Sequence, residues 1–128
     1  MGISLYLDDV RPKPEGDNWL LVKTVPELIV LIKVIGDQID LISLDHDLGE
    51  DTPSGYEFIN WLEQRVFSGE YSDIPELRVH SANPVGRKKM EIGIISINRK
   101  LKYLEQIKDP IKLQEEIWKN EEKILNEI

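Results

Sequence analysis

The sequence predicts an α/β fold built on a mostly parallel, four-stranded sheet with crossover helices. Three observations carry that reading. Short β-like runs at 3–7, 39–44 and 77–80 each finish in residues that are costly to bury. Helical apolar spacings alternate with these runs. The connections after the second strand are long enough for right-handed βαβ units.

Residues 3–7 form the first strand, ended by Asp8 and Asp9. Pro12, Pro14, Gly16, Asp17 and Asn18 make residues 10–18 a loop, too short and too rich in turn formers for a crossover helix. WLLVK, residues 19–23, fits a second strand. Thr24 with Glu27 three positions later makes a capping box, and Pro26 is tolerated in the first turn. That helix runs to about Val34 with Leu28, Leu31 and Ile32 facing the sheet, and Gly36 stops it. After the strand at 39–44, a loop through Gly49, Pro53 and Gly55 leads to a helix over 56–67. Its apolar face is Phe58, Ile59, Leu62 and Val66. The Gly69–Pro75 connection reaches a fourth strand at 77–80. Asn83-Pro84 then caps a helix from Val85 to about Ile107, striped by Met90, Ile94, Ile97, Leu101 and Leu104. Asp109-Pro110 repeats the signal and opens a last helix, with Leu113, Ile117, Ile124 and Ile128 on one side, widened by Trp118 and Leu125. The expected organisation is a domain over 1–107 and a C-terminal helix, 108–128, that packs on it or forms an interface with a second copy or another protein.

The chain has 128 residues, enough for one domain with its own core. Its formal net charge is −8. Residues 1–98 carry 9 basic and 17 acidic side chains, whereas residues 99–128 carry 7 of each. No basic face is evident, which argues against duplex DNA; Arg87-Lys88-Lys89 can hold one phosphate. No apolar run is long enough to span a membrane, and Asp8 and Asp9 interrupt the first apolar stretch. The expected location is therefore the cytoplasm. Cysteine is absent, which excludes disulfides, thiolate catalysis and zinc–sulfur sites.

The strand ends concentrate the chemistry, because ligands of open α/β sheets bind beyond the carboxyl ends of the strands. Asp8, Asp9, Asp45 and Asp47 come from two such ends. Carboxylates brought together repel unless neutralised, and a hard cation, Mg²⁺ with Mn²⁺ as substitute, is the simplest neutraliser. Loop and helix capping is the other reading of these acids. The only histidines, His46 and His80, lie at two strand ends. Imidazole trades protons near neutral pH, so the pair suits acid–base opening of a cyclic phosphodiester, with the acid and base roles unassigned. Core histidines bonded to carbonyls are the alternative. Arg11, Ser81, Asn83 and Arg87 complete the set as phosphate holders near a helix start. Asn83 also caps its own helix.

LYLDDVRP, SLDHDLG, GYEFINWLE and RVHSANPVGR resemble the cyclic-phosphate processing receiver domain family, over roughly residues 3–100. The resemblance implies a receiver-like (flavodoxin-like) three-layer sandwich with a reduced sheet. It implies handling of cyclic phosphate on a small nucleotide or an RNA end, with RNA repair as a setting. The family's motif positions correspond to Asp8, Asp9, Arg11, Asp45, His46, Asp47, His80, Ser81, Asn83 and Arg87. In response-regulator receivers the acidic pair and a third acid bind Mg²⁺, and the third acid accepts a phosphoryl group; Asp45 takes that position here. No fifth strand with a terminal lysine follows, and Lys100 and Lys102 sit within a helical pattern instead. That favours a hydrolase of cyclic phosphodiesters, with His46, His80 and Asp45 catalytic, over aspartyl-phosphate signalling. Asp45 then orients or binds metal in preference to attacking directly. A non-enzymatic module that binds protein or a phosphorylated ligand is the other class.

Overall fold

The computed structural model describes residues 2–49, 51–106 and 108–127. Its strands are β1 (Ile3–Leu7), β2 (Trp19–Val22), β3 (Ile39–Leu44) and β4 (Glu76–Val79). Its helices are α1 (Val25–Ile35), α2 (Gly55–Phe67), α3 (Pro84–Gln106) and α4 (Pro110–Glu127). The sheet order is β2-β1-β3-β4, and every pairing is parallel. This is a receiver-like α/β fold with a four-stranded sheet and a C-terminal helix.

Local chemistry sets the element ends. Thr24 caps α1 by accepting the Glu27 N–H at 3.3 Å, and Glu27 answers by accepting from the Lys23 N–H at 3.1 Å. Ser54, unnoticed in the sequence, forms the full capping box of α2 with Glu57. Gly36 does not end α1 in a left-handed turn. It keeps right-handed helical angles, and the chain tightens into a 3₁₀ turn over Gly36–Gln38.

Strand alternation divides the sheet into two faces. Leu5, Leu7, Val22, Ile42 and Leu44 point one way and pack with Leu28 of α1, Phe58, Ile59 and Leu62 of α2, and Met90 and Ile97 of α3. The crossovers β2–α1–β3 and β3–α2–β4 step across the sheet in the same direction. Right-handed connections therefore put α1 and α2 on one face. The opposite face carries Trp19, Leu21, Tyr6, Leu41, Ser43 and Arg78, with Leu21 and Arg78 exposed. No described helix covers it. The helices that build the core of this receiver-like fold thus pack on the face of Leu5, Leu7 and Val22. The physical reason lies in the β1–β2 connection, a loop over 8–18 with no helix, and in the absence of a fifth strand among the described residues.

Along α4 the described apolar side chains Ile111, Leu113, Ile117, Trp118 and Leu125 are all exposed. Ile107, the expected end of the helix that Asn83-Pro84 opens, and Ile128, expected in the stripe of the last helix, lie outside the described residues, as does the side chain of Ile124. No described helix is long and apolar enough to cross a membrane.

Gly55 shows how tightly α2 meets the β3 end. Its N–H donates to the His46 carbonyl at 3.0 Å, and a Cβ there would run into the Asp45 carbonyl oxygen and Met90 Cε. Backbone cannot retreat as a flexible side chain can. Gly55→Ala is expected to destabilise the fold by about 1–3 kcal/mol, read as a lowered urea midpoint.

Candidate functional site

Asp8, Asp45 and His80 extend the strands by one residue, and their backbone N–H groups continue the ladder to Val22, Leu7 and Leu44 at 2.9, 3.0 and 2.9 Å. Alternation turns all three side chains toward the face without helices, and they converge: one ligand atom from each lies within 4.8 Å of the others.

The Asp8 side chain is fully buried, at 0% exposure, yet its carboxylate is saturated. Oδ1 accepts the N–H groups of Val10 and Arg11, both at 2.9 Å. Oδ2 accepts Arg11 Nη1 and His80 Nε2, both at 3.0 Å. Burial works against ionisation, but these backbone and side-chain donors outweigh it and hold Asp8 below the ordinary carboxylate value. Arg11 Nη1 also lies 3.5 Å from Asp45 Oδ2, so one guanidinium bridges the two acids. Asp45 Oδ1 accepts the His46 N–H at 2.9 Å.

His80 folds back over β3. Tyr6 of β1 and Arg78 of β4 flank Ser43 in register, and the small serine leaves room for the imidazole to stack on Tyr6 at 4.1 Å, within 8° of parallel. Ser43 Oγ lies 2.7 Å from His80 Nδ1. An ionised Asp8 only accepts, so Nε2 carries the hydrogen, and Nδ1 of the neutral ring accepts from the Ser43 hydroxyl. Both ring nitrogens are therefore engaged.

His46 is arranged differently. Its Nδ1 lies 2.8 Å from Asp47 Oδ1, and Asp47 Oδ2 accepts from Asn83 Nδ2 at 3.4 Å. The hydrogen bond from His46, opposed by some burial and aided by Asn83, keeps Asp47 below its ordinary value. The neutral imidazole then carries its hydrogen on Nδ1 and leaves the Nε2 lone pair free, with no partner among the described residues. The ring lies against Gly86 in the first turn of α3, where a Cβ would overlap it. Gly86→Ala should displace the His46 ring. The check is a changed His46 ring resonance in NMR with strand amide resonances preserved.

Asn83 caps α3: its Oδ1 accepts the Val85 and Gly86 N–H groups, both at 3.1 Å, and its own N–H donates to buried Ser81 Oγ at 3.1 Å. Arg87 Nε pairs with Glu91 at 2.9 Å, both side chains half-exposed, which leaves it on the rim. Asp9 is exposed and Asp47 is paired with His46, so neither belongs to the convergent cluster of Asp8, Asp45 and His80. Ser43 and Tyr6 were missed. A serine inside a buried strand needs a partner, and that was the available signal for Ser43.

The donor set can be tested against a divalent ion. Two carboxylates suit Mg²⁺, which sits about 2.0–2.1 Å from its oxygens. Arg11 Nη1 already bridges the same oxygens, and His80 Nε2 presents a hydrogen instead of a lone pair. In this arrangement the residues do not fit a metal. A separate cavity of about 540 Å³ lies at the opposite edge of the sheet, lined in part by Asp37, Asp40, Asp73 and Glu76. Four carboxylates against the single cation of Lys33 make it unsuited to phosphate.

A family model, the cyclic-phosphate processing receiver domain, matches residues 3–95. No curated protein and no solved structure matches the chain. The matched span takes in all four strands, α1, α2, the first half of α3 and every side chain of the site. With that coverage and this convergence of strand ends, the chain belongs to the cyclic-phosphate processing receiver domain family.

Proposed function

We propose that the chain is a cytoplasmic hydrolase that opens a cyclic phosphodiester on a small nucleotide or an RNA end, with RNA repair as one setting. The observation that carries the reading is the Asp47–His46 pair, which leaves His46 Nε2 as a free base at the carboxyl edge of the sheet. Water attacks phosphorus and gives its proton to Nε2. The ring P–O bond breaks, the leaving oxygen takes that proton back, and the products are a phosphomonoester and a free hydroxyl. Asp47 steadies the transient imidazolium, and Asn83 steadies Asp47. Arg11 spends Nη1 on the acids while its side chain stays 43% exposed, so its remaining N–H groups are available to nonbridging oxygens. Arg87 and the Ser81 hydroxyl are further donors for the phosphate; Glu91 holds Arg87 only through an exposed pair. His80 and Asp45 position Asp8 and Arg11. No step passes through Mg²⁺ or Mn²⁺, which would need Asp8 and Asp45 released from Arg11.

A second reading rests on the exposed apolar face of α4: a module that binds a phosphate ligand and docks a second copy or another protein through residues 108–128. A panel of cyclic phosphates followed by phosphorus NMR separates the two. Appearance of monoester, in chelator as well as in Mg²⁺, supports hydrolysis. Binding of the panel members with every ring intact supports the module.

A further inference from the structure

We propose that Arg11 is a built-in counter-cation: it fills the position between Asp8 and Asp45 that a divalent ion takes in related acidic sites, and so makes this site independent of metal. Asp8 is fully buried, and a buried carboxylate without a positive partner is strongly disfavoured. The chain supplies that partner from three residues away. The Arg11 backbone N–H and its Nη1 both bond the same Asp8 carboxylate, at 2.9 and 3.0 Å, so the loop that carries the guanidinium is fastened to the group it neutralises. The same Nη1 reaches Asp45 Oδ2 at 3.5 Å.

An ion held at ordinary Mg²⁺–oxygen distances from both carboxylates would overlap Nη1 and repel it, so the two occupants exclude each other. A second observation is independent of Arg11. His80, the remaining member of the cluster, points a hydrogen at Asp8 because the ionised carboxylate only accepts, and its other nitrogen accepts from the Ser43 hydroxyl. To ligate a metal it would have to shed that hydrogen or turn away from both partners. Arginine also stays charged at every accessible pH, so the occupant does not come and go with protonation.

The test reads ion binding and not turnover, so it stands or falls separately from the proposed hydrolysis. Mn²⁺ alone is titrated into the full chain, and free Mn²⁺ is followed by electron paramagnetic resonance. The parent is expected to show no saturable binding that depends on Asp45. Arg11→Ala is expected to gain a site at least about tenfold tighter than any the parent shows. Adding Asp45→Asn to that variant should remove the gain. Circular dichroism confirms that each variant is folded, and Arg11→Gln serves if the alanine variant is not. Parent binding that is saturable and lost in Asp45→Asn overturns the proposal whatever the variants do. So does a folded Arg11 variant that binds no Mn²⁺, because removing Arg11 then frees no cation position, and so does a gain that survives Asp45→Asn.

Discussion

His46→Ala is expected to slow ring opening by roughly 10²–10⁴-fold, the usual worth of a positioned acid–base group. The fall should appear in kcat with little change in KM, since His46 acts on the transferred proton and Arg11 binds the ground state. The structure separates this residue from the other histidine. His46 has one nitrogen fixed by Asp47 and the other free, whereas His80 has both nitrogens engaged. Asp47→Asn should lower the rate less, because the amide still holds the ring but no longer balances an imidazolium charge. His80→Ala should act mainly through the stability of the Asp8 cluster. Steady-state kinetics for the three variants, each with a urea denaturation curve, check the order. A His80→Ala rate loss as deep as that of His46→Ala, at unchanged stability, would reverse the assignment.

Asp8→Asn should be the most destabilising change at the site. The buried carboxylate accepts four N–H donors, and an amide turns one of its two acceptor positions into a donor facing donors. Breaking a buried pair costs about 3–5 kcal/mol, and the lower end applies because half-exposed Arg11 can turn to water. The loss has a pH signature. In the folded chain Asp8 titrates below its ordinary value of 3.8. A depressed folded value stabilises the fold above the unfolded value, and the contribution is lost as pH falls from there through the folded value. The gap between parent and Asp8→Asn should therefore be constant at neutral pH and narrow only in acid, starting near the unfolded value. Urea midpoints measured from neutral to acidic pH test it; a gap that narrows well above the ordinary value would show that Asp8 is not the group held ionised.

Much of this was legible from local sequence. The β1 and β3 spans are those the apolar runs imply, and Thr24 and Asn83 cap the helices they precede. Asp8, Asp45 and His80 lie directly beyond their strands, whereas Arg87 lies in α3 on the rim. What was not legible is which neighbours share a face and which atoms pair. Asp8 continues the β1 ladder, whereas Asp9 is exposed in the bend beyond it, so only Asp8 joins the cluster. The Tyr6–Ser43–His80 contact joins three strands whose register no linear pattern gives. The two histidines looked alike in sequence because each follows an apolar run. Their roles diverge through partners fixed at long range, Ser43 and Asp8 for one, Gly86 and Asn83 beyond Asp47 for the other. The bare sheet face follows from the missing first crossover helix, which the turn-rich loop at 10–18 foretold; its consequence for the layering depended on the hand of the remaining crossovers.

Phosphorus NMR of the chain with a cyclic phosphate in oxygen-18-enriched water, with chelator present, tests the proposed hydrolysis at the reacting bond. The parent is expected to form a phosphomonoester whose phosphorus signal carries the isotope shift of one solvent oxygen, and His46→Ala to suppress it. A cyclic phosphate that binds and is recovered with its ring intact, or a monoester formed equally by His46→Ala, would contradict it.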